Sequence, residues 1–278
     1  MAFQIAKVGE IGIGDGHPLA FIAGPCVIES RDHTLRMADE LSRLCRKLAI
    51  PLIFKASFDK ANRTSADSFR GVAVDKACEI FSEIGREMGI PVTTDIHLPE
   101  QARAIGAVVD CVQIPAFLCR QTDLLVAAAT TNRCVNIKKG QYMSPEEMAH
   151  ACKKVTSMGN RNILLTERGT FFGYHRLVND MTSLVRMREF APTVFDATHS
   201  CQQPGGEGVR TGGVREYVHI LGPAAVAAGA DAVFLEVHDN PAEAKSDAAT
   251  QLPLDQFETF VTRCLRVREA VAGDRDQA

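Results

Sequence analysis

A chain of 278 residues can bury a large hydrophobic core, and its 46% hydrophobic and 23% charged content is typical of a soluble globular protein. The formal net charge of -3 gives no reason to expect a nucleic acid or an anionic membrane as partner. No apolar run approaches the roughly 20 residues that span a bilayer, and the N-terminus does not resemble a signal peptide, so we expect a cytoplasmic protein.

The cysteines favour the same reducing compartment. None of the nine belongs to a CxxC pair, and their number is odd. Seven lie in apolar or amphipathic segments, where reduced cysteine behaves as a small buried hydrophobe. Cys26 and Cys201 instead lie in loops of small residues beside other candidate functional groups.

In chain order, the first predicted element is a short β-hairpin within residues 1–16, where apolar and polar side chains alternate around three glycines. Such a hairpin is suited to plug one end of a barrel. A repeating strand–helix pattern begins at Leu19. The predicted strands are residues 19–23, 51–55, 91–95, 111–114, 134–138, 162–166, 193–196 and 232–236. Apolar side chains at period 3.6 predict helices that include residues 33–49, 69–88, 145–157, 214–229 and 254–272.

Eight strands, each followed by a helical segment, predict a TIM (β/α)8 barrel. We expect one domain over residues 1–278, ending in a charged, disordered tail at residues 273–278. A doubly wound sheet is the alternative, but it would ordinarily be shorter or carry a second domain, and no linker is visible.

Candidate functional residues lie where the predicted strands end, which is the catalytic end of a TIM barrel. The stretch Lys55-Ala-Ser-Phe-Asp-Lys-Ala-Asn-Arg63 follows the second strand directly and is suited to bind anions. Four cations are expected to face one cavity with a fifth at its rim, namely Lys55, Lys60, Lys138, Arg168 and Arg63. Like charges confined together are costly unless anions join them, so this set predicts a substrate with several negative charges.

A second set combines a thiol, an imidazole and two carboxylates in Cys26, His199, Glu236 and Asp247. These groups suit a divalent ion such as Fe²⁺, Mn²⁺, Zn²⁺ or Co²⁺. Their spacing alone leaves other interpretations open, since His199 fits a hydrogen-bonded loop and Asp247 fits a helix cap. The barrel would unite them because its last strand closes against its first.

Paired glycines flank residues 207–211 after the seventh strand. This pattern predicts a mobile loop that serves either as a phosphate site or lid or as a plain connection.

Six motifs along nearly the whole chain resemble the 3-deoxy-D-manno-octulosonate 8-phosphate synthase family. They are Gly24-Pro-Cys-Val-Ile-Glu-Ser30, Phe54-Lys-Ala-Ser-Phe-Asp-Lys-Ala-Asn-Arg63, Gln113-Ile-Pro-Ala-Phe117, Asn136-Ile-Lys-Lys139, Asp196-Ala-Thr-His-Ser200 and Ser246-Asp-Ala-Ala-Thr-Gln-Leu-Pro253. The family condenses phosphoenolpyruvate with D-arabinose 5-phosphate and water, in the synthesis of the lipopolysaccharide sugar acid.

The resemblance implies two sets of substrate-binding residues. Phosphoenolpyruvate would meet Lys55, Ser57, Lys60 and Gln113 with its carboxylate and Lys138 and Arg168 with its phosphate. The pentose phosphate would meet Asn62 and Arg63, with Arg120 contributed by a neighbouring subunit of a homotetramer. Thr211 stands where the family has serine, and it keeps a hydroxyl at the same phosphate site.

The resemblance also implies a metal class. Metal-independent members carry asparagine where this chain has Cys26, so the chain resembles the metal-dependent members. Carbon 3 of phosphoenolpyruvate would attack the pentose aldehyde while water adds at carbon 2. Lys60, His199 and Asp247 are the candidate catalytic groups, and the residue that handles the water proton stays open.

Two other functions remain as alternatives. The related synthase that uses erythrose 4-phosphate shares the fold, but proline is expected in place of Ala-Asn between its lysine and arginine, against Lys60-Ala-Asn-Arg63 here. A non-catalytic phosphosugar sensor is disfavoured because it would not need the metal set.

Overall fold

A computed structural model describes residues 5–61, 69–207 and 210–275, with the backbone alone at residues 206–207, 210–211 and 273–275. Eight parallel strands form the barrel. They are β3 (Ala20–Gly24), β4 (Leu52–Lys55), β5 (Val92–Asp95), β6 (Cys111–Ile114), β7 (Cys134–Lys138), β8 (Ile163–Glu167), β11 (Thr193–Asp196) and β14 (Ala232–His238). Each strand pairs with the next, and β14 closes the ring on β3 through the register Ala232↔Ala20 to Glu236↔Gly24. The predicted TIM barrel is confirmed.

Helices lie between the strands. They are α1 (Arg31–Lys47), α2 (Val74–Met88), α3 (Gln101–Val108), α4 (Thr122–Thr130), α5 (Met148–Thr156), α6 (Thr182–Met187), α7 (Val218–Ala227) and α8 (Leu254–Arg275). Short 3₁₀ turns cover Ala116–Leu118, His199–Cys201, Arg215–Tyr217 and Pro241–Glu243. The apolar faces of the α-helices pack against the outward-facing strand residues and form the larger hydrophobic core, called the outer core below. In the described part of the chain, no helix is both long and apolar enough to cross a membrane.

The N-terminal hairpin plugs the barrel, as predicted. Its strands β1 (Ile5–Val8) and β2 (Ile11–Gly14) pair antiparallel. Ala6, Val8 and Ile13 are buried in a second hydrophobic core. They pack there against inward-facing residues in the N-terminal halves of the barrel strands. Asn162 fixes the hairpin to β8, because its side chain exchanges two hydrogen bonds of 2.7 Å with the backbone of Lys7.

Inside the barrel, a layer of charged side chains lies above this apolar layer, toward the C-terminal ends of the strands. Successive side chains of a strand face opposite sides, so the residue two positions after an inward-facing apolar one also faces inward. Ile53, Val194 and Phe234 belong to the inner apolar core. The next inward positions are Lys55, Asp196 and Glu236, all buried at the C-terminal end of the barrel. The strand pattern therefore stacks a charged layer directly on an apolar floor.

Three other short strand pairings complete the structure. Strands β9 (Thr170–Phe171) and β10 (Leu177–Val178) form a hairpin after β8, and β15 (Leu252–Pro253) adds to the end of β14. Strands β12 (Gln202–Glu207) and β13 (Arg210–Gly213) pair antiparallel where the sequence predicted a mobile loop. The described residues are therefore paired rather than irregular, because paired glycines are also compatible with a bulged hairpin. The mobility of this segment stays a prediction.

Three predicted helix starts are wrong. The helix expected at residues 145–157 begins at Met148. The helix expected at residues 69–88 begins only at Val74, because Gly71 first forms an isolated bridge with Asp59. The helix expected at residues 214–229 begins as the 3₁₀ turn Arg215–Tyr217 and becomes α-helical at Val218. At the C-terminus α8 continues to Arg275, and residues 276–278 of the predicted tail lie outside the described residues.

Candidate active site

The loops that follow β3 and β4 are held together at the mouth of the barrel. Val27 and Ser57 form a parallel bridge, in which Ile28 N donates to Ser57 O at 2.8 Å. Gln251 supports the first loop from the other side, since its Oε1 accepts from Cys26 N and its Nε2 donates to Ser246 O. These contacts fix Cys26 between residues that are distant in sequence.

The four candidate metal ligands converge at this position. Cys26 Sγ lies 3.6 Å from Asp247 Oδ2. His199 Nε2 lies 3.3 Å from Glu236 Oε1 and 3.5 Å from Asp247 Oδ2. Donor atoms of Cys26, Glu236 and Asp247 all lie within 4.8 Å of one another. Asp247 reaches the cluster from a left-handed backbone conformation, with φ 47°.

Three separations between these donors, 3.6 Å, 3.3 Å and 3.5 Å, match those around a tetrahedral ion. Bond lengths of about 2.0–2.1 Å to nitrogen or oxygen and about 2.3 Å to sulfur place neighbouring donors about 3.3–3.5 Å apart. Glu236 Oε2 is buried and lacks a hydrogen-bond partner among the described residues. Burial and the carboxylates of Asp247 and Glu236 raise the pKa of the Cys26 thiol well above its usual range. A bound cation would reverse that effect and stabilise the thiolate.

Glu236 is also the partner of two lysines. Lys55 Nζ donates to its Oε1 at 2.6 Å and to the backbone oxygen of Cys26 at 2.9 Å. Lys60 Nζ lies 3.7 Å from the same oxygen and donates to Ser57 Oγ at 3.0 Å. Burial alone would raise the pKa of Glu236, but the positive field of His199, Lys55 and Lys60 lowers it to about 2.

Asp196 organises the opposite side of the site. Its Oδ2 accepts from His199 Nδ1 at 2.7 Å and from Lys138 Nζ. The carboxylate therefore fixes the histidine with a proton on Nδ1, so that Nε2 is the ring nitrogen available to an ion beside Glu236 and Asp247. Lys138 Nζ lies 3.8 Å from the centre of the Phe234 ring, which gives this cation a second favourable contact.

Arg168 joins the cluster through Gln202. Arg168 Nη2 donates to Gln202 Oε1 at 2.7 Å and to His199 O at 3.0 Å. Gln202 Nε2 donates in turn to Asp247 Oδ2 at 3.2 Å. Burial lowers the pKa of Arg168, and Asp196 and Asp247 oppose that effect. One amide thus connects a candidate phosphate-binding group to a candidate metal ligand.

Three hydrogen-bonded neutral side chains from strands β8, β7 and β6 line one wall of the site. Thr166 Oγ1 donates to Asn136 Oδ1 at 2.6 Å, and Asn136 Nδ2 lies 3.4 Å from Gln113 Oε1. All three side chains are buried. Gln113 is thereby held facing the interior with its amide group still able to bind a ligand.

Asp95 was not among the predicted site residues, although the sequence placed it at a strand end. Its Oδ2 lies 3.2 Å from His97 Nε2, while Asp95 Oδ1 and His97 Nδ1 are buried without partners among the described residues. Burial would raise the pKa of Asp95, but His97 and Lys60 hold it well below its usual range. Asp95, Asp196 and Gln202 are therefore additional members of the site. Asp95 and Asp196 end barrel strands, which was the signal available for them, whereas Gln202 lies six residues after β11 and had no such signal.

These carboxylates correct the inference from cation count to substrate charge. Lys55, Lys60 and Lys138 each face a protein carboxylate, so the cations alone do not require a multiply charged substrate. A cation on the Cys26 cluster would offset those carboxylates and make the lysines available to substrate anions.

The remaining predicted site residues lie away from this cluster or outside the residues that the structure describes. Asn62 and Arg63 are outside the described residues, as is the side chain of Thr211. Arg120 is exposed next to the 3₁₀ turn Ala116–Leu118, and its backbone oxygen accepts from Lys154. Cys201 does not join the site, because it is buried in the outer core and its Sγ donates to Ala197 O.

Comparison with known proteins gives one family match and relatives that share one name. The profile of the DAHP synthetase I family matches residues 2–272. A protein of Cyanothece sp. named 2-dehydro-3-deoxyphosphooctonate aldolase is 52% identical over 270 residues, covering 97% of this chain and 99% of that protein. Proteins with the same name from Koribacter versatilis and Brucella ovis are 53% and 51% identical, each over 95% of this chain and 96% of their own length.

Proposed function

Because the chain belongs to the DAHP synthetase I family, we propose that it condenses phosphoenolpyruvate with D-arabinose 5-phosphate and water. The products are 3-deoxy-D-manno-octulosonate 8-phosphate and inorganic phosphate, so the enzyme is a 3-deoxy-8-phosphooctulonate synthase of lipopolysaccharide synthesis. The observation that carries this assignment is the cluster of Cys26, Glu236 and Asp247, with His199 and paired lysines beside it, in a chain about 52% identical to proteins named for that product.

The phosphoenolpyruvate site is proposed to lie over Lys55, Lys60 and Ser57, which share one side of Glu236. Its phosphate would lie toward Lys138 and Arg168, the two cations on the Asp196 side. Gln113 would bind a carboxylate oxygen from the wall. Asn62, Arg63 and Thr211 are proposed to bind the pentose phosphate end, with Arg120 reaching it from another subunit.

A divalent metal ion is proposed on Cys26, His199, Glu236 and Asp247, whose spacing and charge fit it. When bound, it supplies Lewis-acid stabilisation of negative oxygen next to the reacting carbons. Addition of single ions to the EDTA-treated protein distinguishes Fe²⁺, Mn²⁺, Zn²⁺ and Co²⁺. The set of one sulfur, one nitrogen and two carboxylates favours a transition ion over Mg²⁺.

The bond changes follow from the substrates. The enol double bond of phosphoenolpyruvate supplies the electron pair that joins carbon 3 to the aldehyde carbon, and the aldehyde oxygen takes a proton. Water adds its oxygen to carbon 2 and releases one proton, which balances the proton taken by the aldehyde oxygen. The bond between carbon 2 and the phosphate oxygen then breaks, the new hydroxyl on carbon 2 loses its proton to the departing phosphate, and a carbonyl forms at carbon 2. Lys55 and Lys60 stabilise the carboxylate beside carbon 2, while Arg168 and Lys138 stabilise the leaving phosphate.

Lys60 is proposed to hold its proton during the reaction. Burial opposes its charge, yet the carboxylates of Glu236, Asp95 and Asp247 around it raise its pKa above the ordinary value. A protonated Lys60 serves as an acid or an electrostatic group rather than as the base for water. His199 and Asp247 remain the proposed groups nearest the metal for that proton.

The chain is further proposed to act as one domain in a cytoplasmic homotetramer. Its metal ligands come from both ends of the sequence, so one barrel suffices to assemble the site. Phe117, Tyr142 and Phe172 are exposed on loops after three consecutive strands, an apolar surface suited to contact another subunit.

Phosphate release from phosphoenolpyruvate tests the assignment directly. Arabinose 5-phosphate and erythrose 4-phosphate are supplied side by side, before and after EDTA and after addition of single divalent ions. We expect release with the pentose alone, its loss in EDTA, and its recovery with a transition ion. Release with erythrose 4-phosphate alone would assign the shikimate-type reaction instead, and release with neither sugar would favour a binding protein.

If pentose-dependent phosphate release persists in EDTA, the assigned reaction stands and the assigned role of the metal in it is contradicted. Metal analysis of the EDTA-treated protein then decides whether the ion was absent or merely retained.

A further inference from the structure

An ion pair of Lys139 and Glu167 lies behind the proposed phosphate-binding residues. Lys139 Nζ lies 3.5 Å from Glu167 Oε1, and both side chains are almost fully buried. Lys139 directly follows Lys138 in the chain, and Glu167 directly precedes Arg168. The pair therefore connects the immediate neighbours of both cations proposed to bind the phosphate of phosphoenolpyruvate, although it has no part in the proposed bond changes.

Strand alternation places the pair on the outer side of the barrel wall. Side chains of β7 and β8 face inward and outward in turn. Ile137 and Leu165, two positions before Lys139 and Glu167, belong to the outer core. Replacing a buried ion pair by apolar side chains of similar volume is often neutral or stabilising. Packing alone therefore does not explain two charges at this point.

Glu167 fixes the backbone that carries Arg168. Its Oε1 accepts from Arg168 N at 2.9 Å and from Gly169 N at 2.7 Å. Gly169 has a φ of 90°, a left-handed conformation that glycine adopts readily. The carboxylate thus fixes the point from which the arginine side chain enters the site.

Lys139 connects that carboxylate to the loop after β7. Its Nζ donates to Met143 O at 3.1 Å in this loop and to Thr170 Oγ1 at 3.3 Å in β9. The ammonium group therefore holds the loop that follows Lys138 against the segment that follows Arg168.

The position of this backbone decides where the Arg168 side chain can reach. Arg168 Nη2 donates to Gln202 Oε1 and His199 O, whereas its Nε is buried without a hydrogen-bond partner in the part of the chain that the structure describes. Lys138 is held from the other side by Asp196. The Nε group is therefore a donor for a phosphate oxygen, and its use depends on the position of Arg168 relative to Lys138.

We propose that Lys139 and Glu167 are positioning residues, which set the separation between Lys138 and Arg168 and thereby the affinity for the phosphate of phosphoenolpyruvate. They act through the backbone and the loop contacts above, since both side chains lie on the outer side of the barrel wall. The role of the pair rests on the proposed function for the identity of this ligand.

Binding of phosphoenolpyruvate without the pentose tests the pair without turnover. Isothermal titration compares the wild type, supplied with a divalent ion, with Lys139→Met, Glu167→Gln and the double variant, and inorganic phosphate is the second probe. Lys139→Met should weaken both ligands about 10-fold to 100-fold, the range for one lost charge-assisted hydrogen bond. The KM for phosphoenolpyruvate should rise in proportion, while the KM for the pentose phosphate at saturating phosphoenolpyruvate should change less than about two-fold.

The double variant removes both charges, so it avoids the unpaired buried carboxylate that could unfold Lys139→Met. Because the two residues act as one unit, the double variant should weaken phosphoenolpyruvate about as much as Lys139→Met alone. Lys153→Met removes an exposed lysine of α5 and should leave both affinities unchanged. Circular dichroism checks that the variants are folded.

Unchanged affinity for both probes in a folded double variant would overturn the proposal. An equal rise of the KM for both substrates would also overturn it, because it would indicate a general loosening of the barrel mouth. Single losses that multiply in the double variant would show that the two residues act independently and not as a pair.

The two probes separate this proposal from the proposed function. A wild type that binds inorganic phosphate but not phosphoenolpyruvate would contradict the proposed function, and the phosphate titrations of the variants would still decide the role of the pair. A wild type that binds neither probe would overturn both.

Discussion

Glu236 Oε1 is the single atom on which most of the site depends. It lies 2.6 Å from Lys55 Nζ, 3.7 Å from Lys60 Nζ and 3.3 Å from His199 Nε2. Its side chain is fully buried. A buried charge of this kind is stable only while its partners remain, so changes to neighbouring ligands are expected to alter metal binding and substrate binding together.

The Cys26→Asn substitution tests the metal class at the residue scale. The amide cannot supply a thiolate, so the affinity for a divalent ion should fall, and the residual activity should not respond to EDTA. Activity and bound metal are measured on the same samples. Cys201→Ala is the matched control, because that buried thiol lies in the outer core and its loss should leave the EDTA response intact. EDTA-sensitive activity in Cys26→Asn would contradict the assigned role.

Gln202→Met removes an amide and preserves most of the side-chain volume. Arg168 and Asp247 each lose a hydrogen bond, so we expect metal affinity to fall about 10-fold to 100-fold and the KM for phosphoenolpyruvate to rise. Isothermal titration and steady-state kinetics measure the two effects. A change in metal affinity without any change in KM would contradict the connection to Arg168.

Sequence reasoning located Lys55, His199 and Glu236 because they lie at or just after the C-terminal ends of predicted strands, where a TIM barrel carries its catalytic groups. It did not identify Asp196 or Gln202 as site residues. Their roles depend on partners 58 and 45 residues away, Lys138 and Asp247. Such pairings are set by the closure of the barrel and have no local signature.

At the level of elements, β3 and β4 approach closely at Gly24. A Cβ added at Gly24 would lie 2.0 Å from Lys55 O. Gly24 also pairs in register with Glu236. The strand therefore needs glycine at this position for steric reasons.

Gly24→Ala should accordingly lower the free energy of unfolding by about 1–3 kcal/mol and displace Lys55, which reduces activity. Gly85→Ala is a matched control within α2, where an added Cβ has no neighbour within 4 Å. It should raise the free energy of unfolding by about 0.5–1 kcal/mol, because alanine favours a helix over glycine. Urea denaturation compares both with the wild type, and equal stability of all three would contradict the steric argument.

The elements themselves were largely predictable, since β6, β7 and β11 have the predicted bounds. Helix starts were less predictable. The first helix begins after Ser30, which accepts from His33 N and is a recognisable cap, whereas α2 has no side-chain cap at Ala73. Where local caps are missing, tertiary contacts decide the boundary.

For the whole molecule, we predict that sedimentation will give about four times the chain mass of 30.2 kDa. Phe117→Asp should dissociate this assembly, because it places a charge on the exposed apolar surface proposed for subunit contact. Val185→Asp changes an exposed apolar residue of α6 and should leave the mass unchanged. A wild type that sediments at the mass of one chain would contradict the tetramer.

Closure of the ring between β14 and β3 has a consequence for biosynthesis. Cys26 and Asp247 are 221 residues apart, and they meet only when the last strand has docked beside the first. During translation the N-terminal strands leave the ribosome well before the segment that carries Asp247, the last of the four proposed metal ligands. A nascent chain therefore lacks the complete proposed ligand set, and tight uptake of an ion at that set would mark a polypeptide synthesised at least through Asp247.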